Sequence, residues 1–341
     1  MDLKKISAWL KENGQPAFRL KQITDAVYKK GAATFEEITE LPEPLRNALK
    51  EKFRILAIEP QTILESKTGG AVKASFRLKD KHKVESVLLN LFPGKWSICI
   101  STQVGCPVQC VFCATGRRGL KRNLSPDEIV SQYVFWAGYL KKYRPGEKIG
   151  GVVYMGMGEP FLNYDSVAES LKALTDPGLI GLGDRHISVS TFGHVPGIRR
   201  FAKEFPQVNL AVSLHAVDNE LRSRLVPLND KYPLDQISKA LKDYIYSTKR
   251  KVFIEYVMLA GVNDSQTQAR RLSEWLKGVA SPKYFTVNLI PYNSTAYDYR
   301  ASDKERITAF SSLLTLLNVS STIRKSLGAD ILGACGQLAD K

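Results

Sequence analysis

The chain has 341 residues, of which 44% are hydrophobic, so it is long and apolar enough for one large domain with a smaller appendage. No apolar run approaches the roughly 18 residues of a membrane span, and the charged N-terminus lacks a signal-peptide pattern, which predicts a cytoplasmic protein with no membrane contact. The net charge of +15 favours a polyanionic partner, with a merely solvated basic surface as the alternative.

The first part of the chain predicts a small helical module followed by a β extension. Apolar residues recur at helical spacing up to residue 53, with breaks at Gly14, Gly31 and the turn LPEP. Short, often alternating segments separated by glycine or charged turns then indicate β-structure. We therefore assign residues 1–53 to the helical module and residues 54–98 to a β extension that leads into the core.

Residues 99–325 predict a parallel sheet, because strand-like and helix-like segments alternate regularly. No GxGxxG fingerprint follows the first strand, which favours a full or partial barrel over a dinucleotide-binding fold. The predicted strands lie in KWSICISTQV, GGVVYM, HISVST, VNLAVSL, KVFIEYVML and YFTVNLI. The predicted helices cover 125–143, 164–175, 197–204, 233–247, 265–277 and 303–317. In such barrels the chemistry lies at the carboxyl ends of the strands, where the polar segments GCPVQC, MGMGEP, STFG, SLHA and PYN fall.

Three of the five cysteines, Cys106, Cys110 and Cys113, lie within eight residues of one another. A structural zinc site closes with four ligands, whereas this CxxxCxxC segment supplies three and the nearest downstream histidine is His186. An iron-sulfur cubane held by three thiolates leaves one iron free to bind a substrate, which fits the spacing better. A four-cysteine zinc site completed by Cys99 is the alternative.

A basic segment, GRRGLKR, follows the cysteines directly. Its four cations are Arg117, Arg118, Lys121 and Arg122, whereas the first sixty residues are nearly balanced in charge. Clustered charges act together over about 8 Å at physiological salt, so the segment favours phosphate contacts, with a solvated basic face as the alternative.

The cysteine spacing, with Phe112 before the last cysteine, resembles the radical S-adenosylmethionine superfamily, and MGMGEP resembles that superfamily's Gly-rich cofactor segment. More closely, the chain resembles the bacterial adenine-C2 methyltransferases of 23S ribosomal RNA and transfer RNA, over nearly its whole length. The segments that carry this resemblance are ISTQVGCPVQCVFCATG, YMGMGEPFLN, SLHA, VMLAGVND, NLIPYN and ACGQL. A related antibiotic-resistance enzyme methylates C8 of the same adenine and shares most of these segments, so C8 methylation is the alternative.

The resemblance implies a partial (β/α)6 TIM-like barrel, with the helical module as an accessory RNA-binding domain and residues 326–341 as a C-terminal loop. It implies a 4Fe-4S cluster on Cys106, Cys110 and Cys113, and two S-adenosylmethionine molecules per turnover. The residues that match the family's cofactor-binding set are Gly158, Glu159, Ser190, Ser213, Leu214, His215 and Asn293. The implied partners are 23S ribosomal RNA, transfer RNA and an electron donor such as flavodoxin, with the enzyme acting as a monomer.

Three further residues take catalytic roles by the same resemblance. Cys335 accepts a methyl group, and a 5′-deoxyadenosyl radical abstracts hydrogen from the resulting thioether. The methylene radical then adds to adenine C2, which is too electrophilic for polar methyl transfer. Glu85 takes the C2 proton, and Cys99 releases the RNA by forming a disulfide with Cys335. By their local patterns alone, Cys99 is instead a core residue and Glu85 a solvated strand residue.

The segment before Cys335 departs from the family pattern. The family shows DIDA before the ACGQL segment, whereas this chain reads DILG there, so Asp330 is kept and Leu332 and Gly333 replace the last two residues of the pattern. A second function class also fits the composition: a basic RNA-binding protein whose cysteines hold structural zinc and which catalyses nothing.

Overall fold

The N-terminal helices pack as a module against the main domain. The computed structural model describes residues 1–295 and 298–339. The helices are α1 (Leu3–Glu12), α2 (Phe18–Thr24), which continues as a short π-helix, and α3 (Glu43–Lys52). Helix α1 begins where the Asp2 carboxylate accepts a hydrogen bond from the Lys5 backbone N–H, and Pro42 precedes α3. The apolar faces of these helices form their own cluster, which includes Val130 and Val134 of the main domain.

The predicted β extension is an antiparallel meander that runs without a gap into the parallel strands. Its strands are β1 (Glu59–Glu65), β2 (Ala71–Arg77) and β3 (Lys83–Phe92), and β3 pairs with β4 (Lys95–Cys99). Strand β1 is exposed along its whole length, whereas β2 is buried except for Arg77. The parallel part therefore begins with β4, and the boundary predicted at residue 99 falls at the end of that strand.

A short two-stranded hairpin and a cysteine loop separate β4 from the rest of the barrel. The strands of the hairpin are β5 (Gln103–Gly105) and β6 (Leu120–Asn123), and the one-turn helix α4 (Ala114–Arg117) lies between them. The remaining strands of the parallel sheet are β7 (Lys148–Tyr154), β8 (Ile187–Thr191), β9 (Asn209–Ser213), β10 (Val252–Met258), β11 (Phe285–Pro291) and β12 (Ser320–Ile323). The sheet order is β1-β2-β3-β4-β7-β8-β9-β10-β11-β12, and every pair from β4 onward is parallel.

Helices connect the parallel strands, as the alternation predicted. They are α5 (Pro126–Tyr143), α6 (Tyr164–Thr175), α7 (Val195–Glu204), α8 (Asn219–Leu225), α9 (Leu234–Thr248), α10 (Gln266–Val279) and α11 (Lys304–Leu316). The central strands are almost entirely buried, because helices cover one face and side chains fill the other. The partial barrel is confirmed, and the structure adds the short edge strand β12, whose exposed sequence SSTI carries little hydrophobic signal. Within the described residues, no helix combines the length and the apolar character needed to cross a bilayer.

The prediction of one strand over residues 95–104 was wrong. Strand β4 ends at Cys99, and the chain then turns to meet the loop after β7. The Thr102 N–H donates to the Met157 carbonyl at 2.8 Å, and the Ser101 hydroxyl accepts from the Met157 N–H at 2.8 Å. These bonds to a distant loop replace ladder bonds, so the cysteine loop follows β5 rather than the first barrel strand.

Candidate active site at the carboxyl ends of the strands

The loop with Cys106, Cys110 and Cys113 is anchored to its neighbours by backbone hydrogen bonds. The Cys106 N–H donates to the Gly119 carbonyl at 3.0 Å, and the Cys113 N–H donates to the Cys110 carbonyl at 3.1 Å. The Val111 N–H reaches the carbonyl of Leu225, at the end of α8, at 3.1 Å. The loop is therefore held between the β5–β6 hairpin and α8.

The three thiols lie in apolar surroundings. They pack against a cluster that includes Val108, Phe112, Phe192 and Leu225. Burial raises the pKa of Cys106 and Cys110, and a charge on Cys113 would raise both further. Three soft thiolate donors on one loop in a dry pocket fit an iron-sulfur cluster with one iron free of protein ligands. Among the described residues, no three His, Cys, Asp or Glu side chains are arranged to chelate a single metal ion.

The MGMGEP loop after β7 lies so close to the residue 100–103 segment that side chains would not fit. A Cβ atom on Gly158, whose φ is +106°, would lie 2.7 Å from the Cβ atom of Gln103. A Cβ atom on Gly156 would lie 2.7 Å from the Ile100 carbonyl oxygen. Both glycines are therefore required by close backbone approach, and Gly158 also by its left-handed conformation.

Glu159 is a buried carboxyl group that joins two strand ends. Its side-chain oxygens accept hydrogen bonds from the N–H of Phe161 at 3.1 Å and the N–H of Phe192 at 2.8 Å. Burial raises the pKa of Glu159 to about 7, although these hydrogen bonds act in the opposite direction. Its charge also contributes to the raised pKa of Cys106 and Cys110, so Glu159 faces the cysteine loop.

Ser190 and Ser213 meet at the ends of β8 and β9. Their hydroxyl oxygens are 3.2 Å apart, and Ser190 is buried. Leu214, the next residue of the SLH segment, belongs to the core instead. The Leu214 side chain is fully buried in the main core, its N–H donates to the Glu255 carbonyl, and its carbonyl accepts from Arg222. A role for Leu214 at the cofactor site stays a prediction.

His215 is buried as a neutral imidazole in the left-handed conformation, with φ +61°. Its Nδ1 accepts the Val257 N–H at 3.1 Å, which leaves the proton on Nε2. Burial, together with the positive charge of Arg222, lowers the pKa of His215 to about 3. The ring also meets Phe112 edge-on, with 4.8 Å between the ring centroids, so His215 contacts the cysteine loop.

Arg222 in α8 is a fully buried residue that the sequence reasoning missed. Its guanidinium donates to the Leu214 carbonyl at 3.0 Å, the Ser213 carbonyl at 3.2 Å, the Asn229 side chain at 2.5 Å and the Phe192 carbonyl. It therefore ties the ends of β8 and β9 together, and its charge lowers the pKa of Cys110 against the effect of burial. On sequence, an arginine in the short polar helix NELRSRL looks exposed.

The Cys335 loop lies over this site. The Asn293 side chain donates to the Cys335 carbonyl at 3.1 Å, and the Ala114 N–H donates to the Gly336 carbonyl at 2.8 Å. The Thr115 hydroxyl donates to the Leu338 carbonyl at 2.6 Å. Since Ala114 and Thr115 directly follow Cys113, these bonds fix the Cys335 loop to the end of the cysteine loop.

Cys335 is accessible to solvent, although desolvation by the surrounding protein is the largest cause of its raised pKa. Its thiol interacts electrostatically with Glu255, Arg324 and Cys113. Cys99 is buried at the end of β4, and burial, assisted by Cys335, raises its pKa. A charge on Cys335, and not one on the three-cysteine loop, is the cysteine charge that acts on Cys99. In the described part of the chain, Cys99 does not join a metal-binding group with the other cysteines.

Glu85 is not a solvated strand residue, so its local pattern was misleading. It is 3% exposed, its Oε1 accepts from the Lys73 ammonium at 2.9 Å, and its Oε2 accepts the Ala339 N–H at 2.8 Å. The Glu85 carbonyl also accepts the Ser101 hydroxyl at 2.5 Å, which links β3 to the chain just after β4. Glu85 therefore lies under the C-terminal segment that carries Cys335.

Glu255 is a further buried carboxyl group, and the sequence reasoning missed it. Burial raises its pKa to about 7, while the Asn288 side chain donates to its Oε1 at 2.8 Å. Among the charges near Cys335, that of Glu255 has the largest effect on the pKa of the Cys335 thiol, which it raises. The available signal was a charged residue inside the apolar strand KVFIEYVML, since an unpaired carboxylate in a buried strand is costly.

Arg122 is paired with two carboxylates in the structure, and its contact with phosphate stays a prediction. Arg122 donates two hydrogen bonds of 2.8 Å to Glu128, at the start of α5, and also pairs with Asp80. Glu128 in turn belongs to a capping box with Ser125, so Arg122 stabilises a helix start. Lys121, beside it, is exposed.

The fold and the site together define a radical S-adenosylmethionine enzyme: a partial barrel in which a three-cysteine loop meets polar strand ends. The family model "Radical SAM superfamily" matches residues 100–271, and "Ribosomal RNA large subunit methyltransferase N-terminal domain" matches residues 1–55. The chain thus belongs to the radical SAM superfamily and, within it, to the RlmN family of RNA methyltransferases, as the following relatives show.

A probable dual-specificity RNA methyltransferase RlmN from Streptococcus mutans is 43% identical over 335 residues, covering 98% of this chain and 92% of the relative. The corresponding RlmN 2 of Protochlamydia amoebophila is 41% identical over 339 residues, covering 99% of this chain and 93% of the relative. A crystal structure of a radical SAM methyltransferase from Sphaerobacter thermophilus is 39% identical in sequence and superposes with a TM-score of 0.93. The match covers 100% of this chain and 98% of that one. These matches confirm the predicted family and enzyme class.

Proposed function

We propose that this enzyme methylates C2 of an adenine in 23S ribosomal RNA and in transfer RNA through a methylated Cys335. The observation that carries the proposal is the position of Cys335 between the three-cysteine loop and Cys99. The Ala114 N–H, next to Cys113, donates to the Gly336 carbonyl at 2.8 Å, and a charge on Cys335 would raise the pKa of the buried Cys99. Cys335 itself is accessible to solvent. A residue so placed can reach a cofactor bound at the loop, an RNA base from outside and a second thiol in turn.

The residues that would hold the cofactors are those predicted from the sequence. Cys106, Cys110 and Cys113 would hold the 4Fe-4S cluster, and Glu159 with the strand-end serines would line the S-adenosylmethionine site. When bound, the cluster supplies the electron that cleaves S-adenosylmethionine to methionine and a hydrogen-abstracting 5′-deoxyadenosyl radical. Two S-adenosylmethionine molecules are consumed, because one donates the methyl group and the other the radical.

The chain's own residues carry the methyl group. The Cys335 thiol loses its proton and takes a methyl group from one sulfonium, which leaves as S-adenosylhomocysteine. Abstraction of one hydrogen from this S-methyl group leaves a methylene radical, which forms a carbon–carbon bond to adenine C2. Loss of the C2 proton to Glu85 and of the unpaired electron restores the aromatic ring, which is then joined to Cys335 through a thioether. The acceptor of that electron would be the 4Fe-4S cluster, which has given up one electron in the cleavage of S-adenosylmethionine.

Cys99 completes the reaction. Its thiolate attacks the Cys335 sulfur, so a disulfide forms while the carbon–sulfur bond breaks. The electron pair of that bond stays on carbon, which takes a proton to become the new methyl group. Reduction of the disulfide by two electrons regenerates the enzyme. The family resemblance supports flavodoxin as the electron donor, a monomeric enzyme and a cytoplasmic location.

Analysis of the modified RNA tests the proposal. Unmodified 23S ribosomal RNA is incubated with anaerobically purified enzyme, digested, and compared with authentic 2-methyladenosine and 8-methyladenosine. We expect only the 2-methyl isomer, and a brown protein with about four irons per chain. The 8-methyl isomer alone would overturn the C2 assignment, and stoichiometric zinc without iron would overturn the radical chemistry.

A further inference from the structure

The β extension holds the Cys335 loop at three points. The Asp330 carboxylate accepts hydrogen bonds from the Ser66 hydroxyl at 2.8 Å and the Lys67 N–H at 2.9 Å, in the turn between β1 and β2. The other two contacts converge on a single ion pair inside the sheet. They connect both ends of the loop, Leu332 and Ala339, to the pair.

That ion pair consists of Lys73 on β2 and Glu85 on β3. The Lys73 ammonium lies 2.9 Å from Glu85 Oε1 and 3.3 Å from the Leu332 carbonyl oxygen, while Glu85 Oε2 accepts the Ala339 N–H at 2.8 Å. Both side chains are buried, with 9% and 4% of the side-chain surface of Lys73 and Glu85 exposed. A buried ammonium is costly unless paired and hydrogen-bonded, so this lysine is not an ordinary solvated strand residue.

Leu332, whose carbonyl Lys73 bonds, has an unfavourable backbone conformation. Leu332 has φ +52°, which is unfavourable for a residue with a branched side chain. Its side chain is 40% exposed, so side-chain burial does little to hold this conformation. The Lys73 ammonium bonds the carbonyl of this strained residue, at the point where the loop enters the site.

We propose that Lys73 is a positioning residue, which sets the Glu85 carboxylate and the Cys335 loop relative to each other through one ammonium group. The inference deepens the proposed function, on which its catalytic meaning rests, because Glu85 and Cys335 act on the same adenine carbon. Lys73 bonds the Glu85 carboxylate and the Leu332 carbonyl, so it acts through these two groups. Because Lys73 bonds both groups, the position of the Cys335 loop depends on the position of the Glu85 carboxylate.

The coupling also has a consequence for the charge of Glu85. An ionised carboxylate accepts both from Lys73 and from Ala339, whereas a neutral group gives weaker bonds to each. Uptake of a proton by Glu85 in the proposed reaction would therefore weaken its bond to the Ala339 end of the Cys335 loop and its ion pair with Lys73. This change suits Cys335, which must be held in place before proton transfer and released after it.

Hydrogen exchange of full-length, RNA-free enzyme tests the positioning role without requiring turnover. The amides of residues 333–339 are followed by mass spectrometry in wild type, Lys73→Met, Lys73→Arg and Glu85→Gln. We expect exchange to become about tenfold faster or more in Lys73→Met and Glu85→Gln, because each loses a charge-assisted contact at the loop. Lys73→Arg, which keeps the cation and the donors, should restore most of the protection.

Two further variants keep the test interpretable. Lys79→Met changes an exposed lysine in the turn after β2 and should leave loop exchange unchanged. If Lys73→Met fails to fold, Ala339→Pro removes the N–H that bonds Glu85, while also restricting the backbone at residues 338 and 339, and should itself speed exchange of the loop. Wild-type exchange rates in a folded Lys73→Met protein, or in Ala339→Pro, would overturn the inference. If the variants exchange faster but the wild-type enzyme makes no 2-methyladenosine, the proposed function is overturned, whereas the contact between Lys73 and the loop stands.

Discussion

Cys99 and Cys335 lie close enough for a charge on Cys335 to raise the pKa of Cys99, although they are far apart in the chain: Cys99 ends the first parallel strand, and Cys335 lies in the C-terminal loop. Cys99 is buried and held as a neutral thiol, whereas Cys335 is accessible. This asymmetry fits a division of roles in which the outer sulfur meets the RNA and the inner sulfur meets only the outer one.

Replacing Cys99 with Ala should trap the RNA on the protein. Methyl loading and addition to adenine do not need Cys99, but no thiol remains to attack the Cys335 thioether. We expect a covalent RNA adduct through Cys335, seen as a mass shift that nuclease treatment removes.

Val87→Ala is the matched control, since Val87 is the buried partner of Cys99 on β3 and its truncation disturbs packing without removing a thiol. It should give no adduct. Normal turnover of Cys99→Ala would show that Cys99 is only a packed core residue.

Gly158→Ala should weaken cofactor binding and stability together. The new Cβ atom would lie 2.7 Å from Gln103 Cβ and 2.8 Å from its backbone nitrogen. We expect a loss of about 1–3 kcal/mol in the free energy of unfolding beyond the cost of the left-handed backbone itself. S-adenosylmethionine binding by equilibrium dialysis should fall by about tenfold or more.

Gly261→Ala separates these two effects, because Gly261 has φ +71° with nothing within 4 Å of the added Cβ atom. It should show only the backbone cost, on the order of 1 kcal/mol, in chemical denaturation. Equal losses in the two variants would mean that close packing at Gly158 is unimportant.

His215 should make the protein less stable in acid. Its folded pKa, about 3, lies below the ordinary value of 6.5, so the unfolded chain binds the proton more readily between these values. The free energy of unfolding contributed by His215 is therefore complete above pH 6.5 and falls by about 2 kcal/mol on going to pH 5.

The variant His215→Asn isolates this contribution. Asn does not titrate, tolerates the left-handed conformation, and can accept the Val257 N–H through its side-chain oxygen. Glu159 and Glu255 titrate in the same range but are present in both proteins. The stability difference between wild type and variant, measured by urea unfolding, should thus shrink on acidification; a constant difference would contradict a buried neutral His215.

Arg222→Met should be strongly destabilising. It leaves the Leu214, Ser213 and Phe192 carbonyls without a buried donor, for an expected loss of about 3–5 kcal/mol. Arg224→Met, an exposed arginine of the same helix, serves as the control and should change the free energy of unfolding by less than about 0.5 kcal/mol. Comparable urea midpoints for the two variants would rule out the structural role of Arg222.

Lys121→Ala should make RNA affinity less dependent on salt, whereas Arg122→Ala should mainly lower stability. An exposed lysine that contacts one phosphate contributes about 0.7–0.9 to the slope of log affinity against log salt. Filter binding over a series of salt concentrations measures this slope. An unchanged slope would assign Lys121 to the solvated face of the protein.

The local pattern of the chain determined the class of fold and the cofactor loop. The predicted parallel strands and connecting helices are present, because burial on both faces requires continuous apolar segments that can be read from neighbouring residues. Cysteine spacing is local as well, since CxxxCxxC places three thiols on one loop. The prediction of one strand over residues 95–104 was wrong because hydrogen bonds to Met157, far along the chain, replace the strand ladder that the apolar pattern suggested.

Only the tertiary structure decided which polar residues are buried and with what partners. Glu85 and Arg122 looked like solvated charges, yet one is paired with Lys73 beneath the C-terminal loop and the other caps a helix through Glu128. Arg222 and Glu255 went unnoticed for the same reason. A charge can be buried only where opposite charges and hydrogen-bond partners converge, and such partners come from strands and loops whose proximity no short stretch of sequence specifies.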